Sequence, residues 1–200
     1  MICISGKDKG DYQTLAFTYK RILVPYDSSK PSENALQQAI QLANIIASSG
    51  NIVGHIENIQ IILLHIVERI HIRIPSLYLS LRLIAGKPMK EFYEETYEEM
   101  KNDASKMLYD IKRGIERSVA ANRNKTNTKV SCSSASIMVI PQVTIGNPPE
   151  VIVDVANNKE KVDLIIMGST GLKGISKIRV LGSVSRAVSE NADCPIMLVH

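Results

Sequence analysis

The run at residues 60–67 (Q-I-I-L-L-H-I-V) constrains this chain more than any other stretch. It is apolar at successive positions, so both of its faces need cover. A half-solvated strand would alternate. A continuous run of this length suits a parallel strand buried between two layers. Comparable short runs occur at residues 21–26, 136–145, 163–167 and 195–199.

Helical patterns fall between these runs. Ala35, Leu36, Ala39, Ile40, Leu42, Ala43 and Ile46 recur mostly at three and four. Ser28, Ser29 and Pro31 supply helix-start chemistry before them, and Gly50 ends the period. Phe92, Thr96, Met100, Ala104, Met107, Ile111, Ile115 and Val119 share one face of a long helix, with Glu and Lys opposite. The polar stretch 122–127 is expected to break it. Residues 150–157 suit either strand or helix. Helix is assigned, because parallel strands need a crossover and Pro148-Pro149 make a good helix entrance. A last helix is expected at 183–191.

The resulting order, β-α-β-α-β-α-β-α-β, predicts one doubly wound α/β domain on a five-stranded parallel sheet. Residues 1–19 read as a loose tail and 20–200 as the domain. Residues 51–58 read as an irregular connection. The linker at 68–87 is too apolar for a simple solvated loop.

Composition narrows the function classes. The 200 residues, 44% hydrophobic, are enough for one core. A formal net charge of +4 with no block of like charges argues against nucleic acid as the partner. Cys3, Cys132 and Cys194 are odd in number and widely spaced. That disfavours a disulfide framework or a structural zinc site and fits a reducing cytosol. His55, His65, His71 and His200 show no metal-ligand spacing. No apolar window reaches membrane-span length, and the apolar start at 1–4 is too short for a leader, so a cytoplasmic protein with no membrane association is expected.

The chemistry concentrates in Gly168-Ser169-Thr170-Gly171-Leu172-Lys173-Gly174, followed by Gly182-Ser183. An apolar run feeds into this stretch and a helix leaves it. Glycines are expected to supply positive φ and close approach to a ligand. The helix start presents unpaired N–H groups to an anion. From 168 to 189 the charged residues are Lys173, Lys177, Arg179 and Arg186, with no carboxylate. A phosphate cradle and a tight turn with a solvated basic face both remain open. The stretch is neither G-x-x-x-x-G-K-[ST] nor G-x-G-x-x-G.

Pro25 and Asp27 stand at the carboxyl end of the first strand, where open α/β sheets bind ligands. Asp27 is suited to accept from a ribose or a base amine, or to cap the next helix. His65 reads as a satisfied core histidine and Cys194 as a small buried apolar residue. Glu91, Glu94, Glu95, Glu98, Glu99 and Asp103 read as a solvated helix face. No Ser-His-Asp or Cys-His set can be assembled, so no catalytic or metal-ligating residue is assigned.

Together these motifs resemble a known family. Residues 22–29 (I-L-V-P-Y-D-S-S), 61–68 (I-I-L-L-H-I-V-E), 143–148 (V-T-I-G-N-P), 162–171 (V-D-L-I-I-M-G-S-T-G), L-G-S-V-S-R-A-V and C-P-I-M-L-V look like the universal stress protein domain. The resemblance covers about 20–200. It implies a fold like the adenine nucleotide alpha hydrolases, and often a homodimer formed through the last strand. ATP-binding members of the family resemble G-2x-G-9x-G-[ST]; here ten residues separate Gly171 from Gly182. By that likeness Gly168, Gly171, Gly182 and Ser183 hold phosphates and ribose, with Val184 and Ser185 adjoining. Pro25 and Asp27 lie against the adenosine, Ile66 beside the adenine and Met167 under it.

The resemblance implies a stress-response module that binds ATP, with Mg²⁺ or Mn²⁺ as possible companions. Two alternatives stay open: a slow metal-dependent ATP-hydrolysing enzyme, and a nucleotide-free dimer that binds partner proteins.

Overall fold

The computed structural model describes residues 19–48, 58–69, 89–125, 136–171 and 181–200. The elements are β1 (Arg21–Pro25), α1 (Lys30–Ser48), β2 (Asn58–Glu68), α2 (Met89–Lys125), β3 (Ser136–Gly146), α3 (Pro148–Asp154), β4 (Leu164–Gly168), α4 (Ser183–Asn191) and β5 (Ile196–Val199). The five strands form one sheet in the order β3-β2-β1-β4-β5. Every pairing is parallel. This is the expected α/β architecture.

The doubly apolar strands are explained by two cores, one on each face. Ile22, Val24, Ile59, Ile61, Leu63, Leu164 and Ile166 pack with Ala35, Ala39 and Ala43 of α1 and Leu108 and Ile115 of α2. Their immediate neighbours Leu23, Ile62, Leu64, Ile165 and Met167 point the other way. They meet Ile152 of α3, Val155 and Ala156 just beyond it, and Val188 of α4. Side chains alternate across a strand, so a strand covered on both faces must be apolar at every position. Each fully buried Ile or Leu stabilises the fold by about 1.5–3 kcal/mol.

The ambiguous segment at 150–157 is helical. Proline occupies the first turn of α3, and the helix continues as a π-helical turn, Val155–Lys159, closed by Glu160 N–H donating to the Val155 carbonyl at 2.9 Å. Val151 and Val153, which also suit a strand, pack instead against the second core.

The described part of α2 reaches Lys125, inside the polar stretch 122–127 expected to break it. Its first residues stay helical because Asn costs a helix interior less than about 0.7 kcal/mol. One expectation needs correction. Asn58 does not belong to a connection; it opens β2 and pairs with Ser136. Residues 51–57 lie outside the described residues, as do 1–18 of the tail and 70–87 of the linker. Tyr19, placed in the tail from the sequence, packs against the first core.

The strand order reverses between β1 and β4. Crossovers leave the two strands on opposite sides, so the layer opens beyond their carboxyl ends, where ligands bind in such sheets. At the other end the Asp163 carboxylate accepts the Lys20 and Arg21 N–H groups at 2.8 Å each, fixing β4 against β1.

Candidate functional site

A cleft of about 570 Å³ lies beyond the carboxyl ends of β1, β2 and β4, within the usual range for a small-molecule site. It brings together all ten residues singled out from the sequence. Pro25 and Asp27 come from the end of β1, Ile66 from β2, Met167 and Gly168 from β4, and Gly171 from the turn that follows. Gly182, Ser183, Val184 and Ser185 come from the start of α4.

The turn after β1 sets Asp27. Its Oδ1 accepts the Ser29 N–H at 3.0 Å, and Ser28 between them adopts a left-handed φ of 64°. Ser29 caps α1, as its hydroxyl chemistry suggested: its hydroxyl oxygen accepts the Ser32 N–H at 3.3 Å. The other Asp27 oxygen faces the glycine turn, since a Cβ at Gly171 would lie 2.9 Å from Oδ2.

None of Gly168, Gly171 and Gly182 uses a left-handed φ; Gly182 has φ −63°. At these three positions the expectation of positive φ is therefore replaced by close approach; Gly174 lies outside the described residues. A Cβ at Gly168 would meet Pro31 Cβ at 2.9 Å and the Ser32 nitrogen at 3.0 Å. The first turn of α1 thus seats on Gly168. At Gly182 a Cβ would come within 3.2 Å of the Ser169 carbonyl oxygen.

The glycine stretch leaves the sheet at Ser169 and returns at Gly182 through a hydrogen-bonded neck. The Ser169 carbonyl accepts the Gly182 N–H at 2.8 Å and the Ser185 hydroxyl at 2.8 Å. The Ser185 hydroxyl also reaches the Gly182 carbonyl at 3.0 Å. No side chain caps α4 at Gly182. Its first N–H groups therefore lack intrahelical partners at the cleft wall, where they favour an anion. Lys173, Lys177 and Arg179 lie outside the described residues, and Arg186 is exposed on α4.

The apolar floor includes residues the sequence reading missed, among them Leu64, Pro148 and Ile152. Strand and helix periods placed Leu64 and Ile152 in the core, and Pro148 read as a helix entrance, with no sign that the core opens there. Glu68 also lines the cleft; a carboxylate ending an apolar strand was the available signal. His65 holds its ring Nδ1 2.8 Å from the Tyr26 carbonyl oxygen. A carbonyl only accepts, so Nδ1 carries the proton. The histidine is thus satisfied as expected, but it stands half-buried at the cleft wall and not in the core. Burial, with Glu33 next, pushes the Tyr26 phenol above its ordinary value.

Burial likewise raises the Cys194 thiol, whose side chain packs against the second core. Glu91, Glu94, Glu95, Glu98, Glu99 and Asp103 are exposed, as a solvated face should be. Among the described residues no group of three or more His, Cys, Asp and Glu is placed to hold a metal ion, and no helix is long and apolar enough to cross a membrane.

The universal stress protein family model matches residues 18–200. Universal stress protein MJ0577 of Methanocaldococcus jannaschii is 27% identical over 187 residues, covering 92% of this chain and 97% of that protein. Universal stress protein Sll1388 of Synechocystis is 27% identical, covering 91% and 98%. The solved structure of MJ0577 superposes with a TM-score of 0.60 at 26% identity, covering 90% of this chain and 95% of that one. UspA from Lactobacillus plantarum superposes with a TM-score of 0.56 at 19% identity, covering 91% and 98%, a likeness of fold.

Proposed function

Since the chain belongs to the universal stress protein family, we propose that it is an ATP-binding member that acts as a dimeric regulatory module in the cytoplasm. One observation carries the reading: the uncapped start of α4, the Asp27 carboxylate and an apolar floor of Ile66, Ile152 and Met167 converge on one cleft. Those three environments match the three parts of an adenine nucleotide. The helix N-terminus suits the phosphates, the carboxylate suits ribose hydroxyls or the base amine, and the apolar slot suits the ring. Mg²⁺ or Mn²⁺ would accompany the phosphates. The proposal is of binding and not of turnover.

The dimer is proposed to form through β5, an edge strand whose Met197 and Leu198 are exposed. Among the described residues β5 is the last strand of the sheet, and such an edge offers a row of backbone groups for pairing with another chain.

The test is mass spectrometry of small molecules released from the purified protein, then calorimetric titration with ATP and AMP. ATP is expected to bind more tightly than AMP. Failure of both to bind at millimolar concentration would overturn the reading. Light scattering should give a dimer.

A further inference from the structure

Ser169 is 1% exposed and bonds to three other parts of the fold. Its N–H donates to the Val199 carbonyl at 2.7 Å, joining it to β5. Its carbonyl holds the start of α4 through Gly182 and Ser185. Its hydroxyl meets the His200 ring Nδ1 at 2.8 Å. His200 in turn offers its carbonyl to the Asn34 side-chain amide of α1 at 2.8 Å. Thus the residue just past β5 is fastened to the glycine neck on one side and to α1 on the other.

We infer that Ser169 and His200 are a positioning pair that couples the start of α4, and so the anion-facing wall of the cleft, to the β5 edge. The physical basis is that Ser169 cannot shift without disturbing both sides. Buried and hydrogen-bonded through N–H, carbonyl and hydroxyl, it has little freedom to trade one partner for another. Releasing the His200 ring frees the Ser169 hydroxyl, and the carbonyl that holds Gly182 and Ser185 moves with it. By linkage, whatever orders the α4 start also firms the β5 edge, and the reverse. The coupling is a property of the ligand-free chain; only its effect on affinity rests on the nucleotide reading above.

The experiment compares hydrogen–deuterium exchange of the ligand-free parent, His200→Ala and His200→Asn, followed by ATP titration of each. Asn can place an amide nitrogen or oxygen near the position of Nδ1. In His200→Ala, exchange is expected to rise about three- to tenfold in β5 and at the Gly182 and Arg186 amides, which are hydrogen-bonded at the start of α4, the scale of one lost hydrogen bond. The β1 and β2 amides should be unchanged, and His200→Asn should restore both regions. Exchange unchanged at α4, or raised evenly over the whole fold, would overturn the coupling. Where the parent binds ATP, affinity should fall by a similar factor in the Ala variant and recover in the Asn variant; equal affinity in all three would overturn the link to the cleft. A parent that binds no ATP counts against the nucleotide reading, and the exchange result still decides the coupling.

Discussion

A methyl group added at Gly168 would press on the Pro31 backbone and ring, which cannot swing aside. Gly168→Ala is therefore expected to cost about 1–3 kcal/mol, the range for overpacking, measured by urea denaturation. At Gly171 the obstacle is the far end of the Asp27 side chain, which can move. Gly171→Ala should leave stability within about 0.5 kcal/mol and instead displace the carboxylate, weakening ATP binding in calorimetry. Ser28 is strained by its φ of 64°. Ser28→Gly should match or exceed the parent in stability, and Ser28→Val should fall below the glycine variant by about 1–2 kcal/mol. The glycines themselves could be read from the sequence. Their reasons could not, because φ and close approach depend on where α1 and Asp27 sit, and no local pattern encodes that.

Among the elements, α4 depends on a staple that lies inside its own first turn. Ser185→Ala removes the hydroxyl that reaches both the Ser169 and Gly182 carbonyls. It should cost about 1 kcal/mol and raise exchange at the start of α4 without affecting β2. The strands and α1 were legible because burial on two faces leaves a dense apolar signal. The segment that became α3 was not settled by its own residues. Val151, Ile152 and Val153 favour a strand by propensity, and the two prolines with the need for a crossover decided for helix. The stretch that ends α2 was legible only to within a few residues, because a polar composition lowers helix propensity without capping anything. The N-cap was legible in part: the sequence offered Ser28, Ser29 and Asp27, and the turn between them selects Ser29.

For the molecule as a whole, the strand order was the least legible feature. Periodicity identifies strands but not their neighbours, and the switch between β1 and β4 is what creates the cleft. The pH response is also global. Burial raises both the Tyr26 phenol and the Cys194 thiol. Each proton therefore leaves the unfolded chain first. Their contribution is complete below the ordinary thiol and phenol values of about 8.5 and 10, and it is lost as pH rises through the folded values. Denaturation midpoints should fall on the alkaline side, and Tyr26→Phe with Cys194→Ala should flatten that fall. Asp154 runs the opposite way: its hydrogen bonds from Lys159 and Asn158 hold the carboxyl low, so its effect is lost as pH falls through the folded value, and it should be slight on so exposed a group.

The hydrogen-bonded neck at Ser169 and Gly182 carries one more consequence, for how such a chain can change over generations. For any flexible segment closed at both ends, one added residue raises the closure cost by only about 0.1 kcal/mol, from the logarithmic dependence on loop length. Ten residues between Gly171 and Gly182, where the family resemblance expects nine, therefore call for no compensating change in the sheet. Under the nucleotide reading proposed above, selection on that length would act through the ligand.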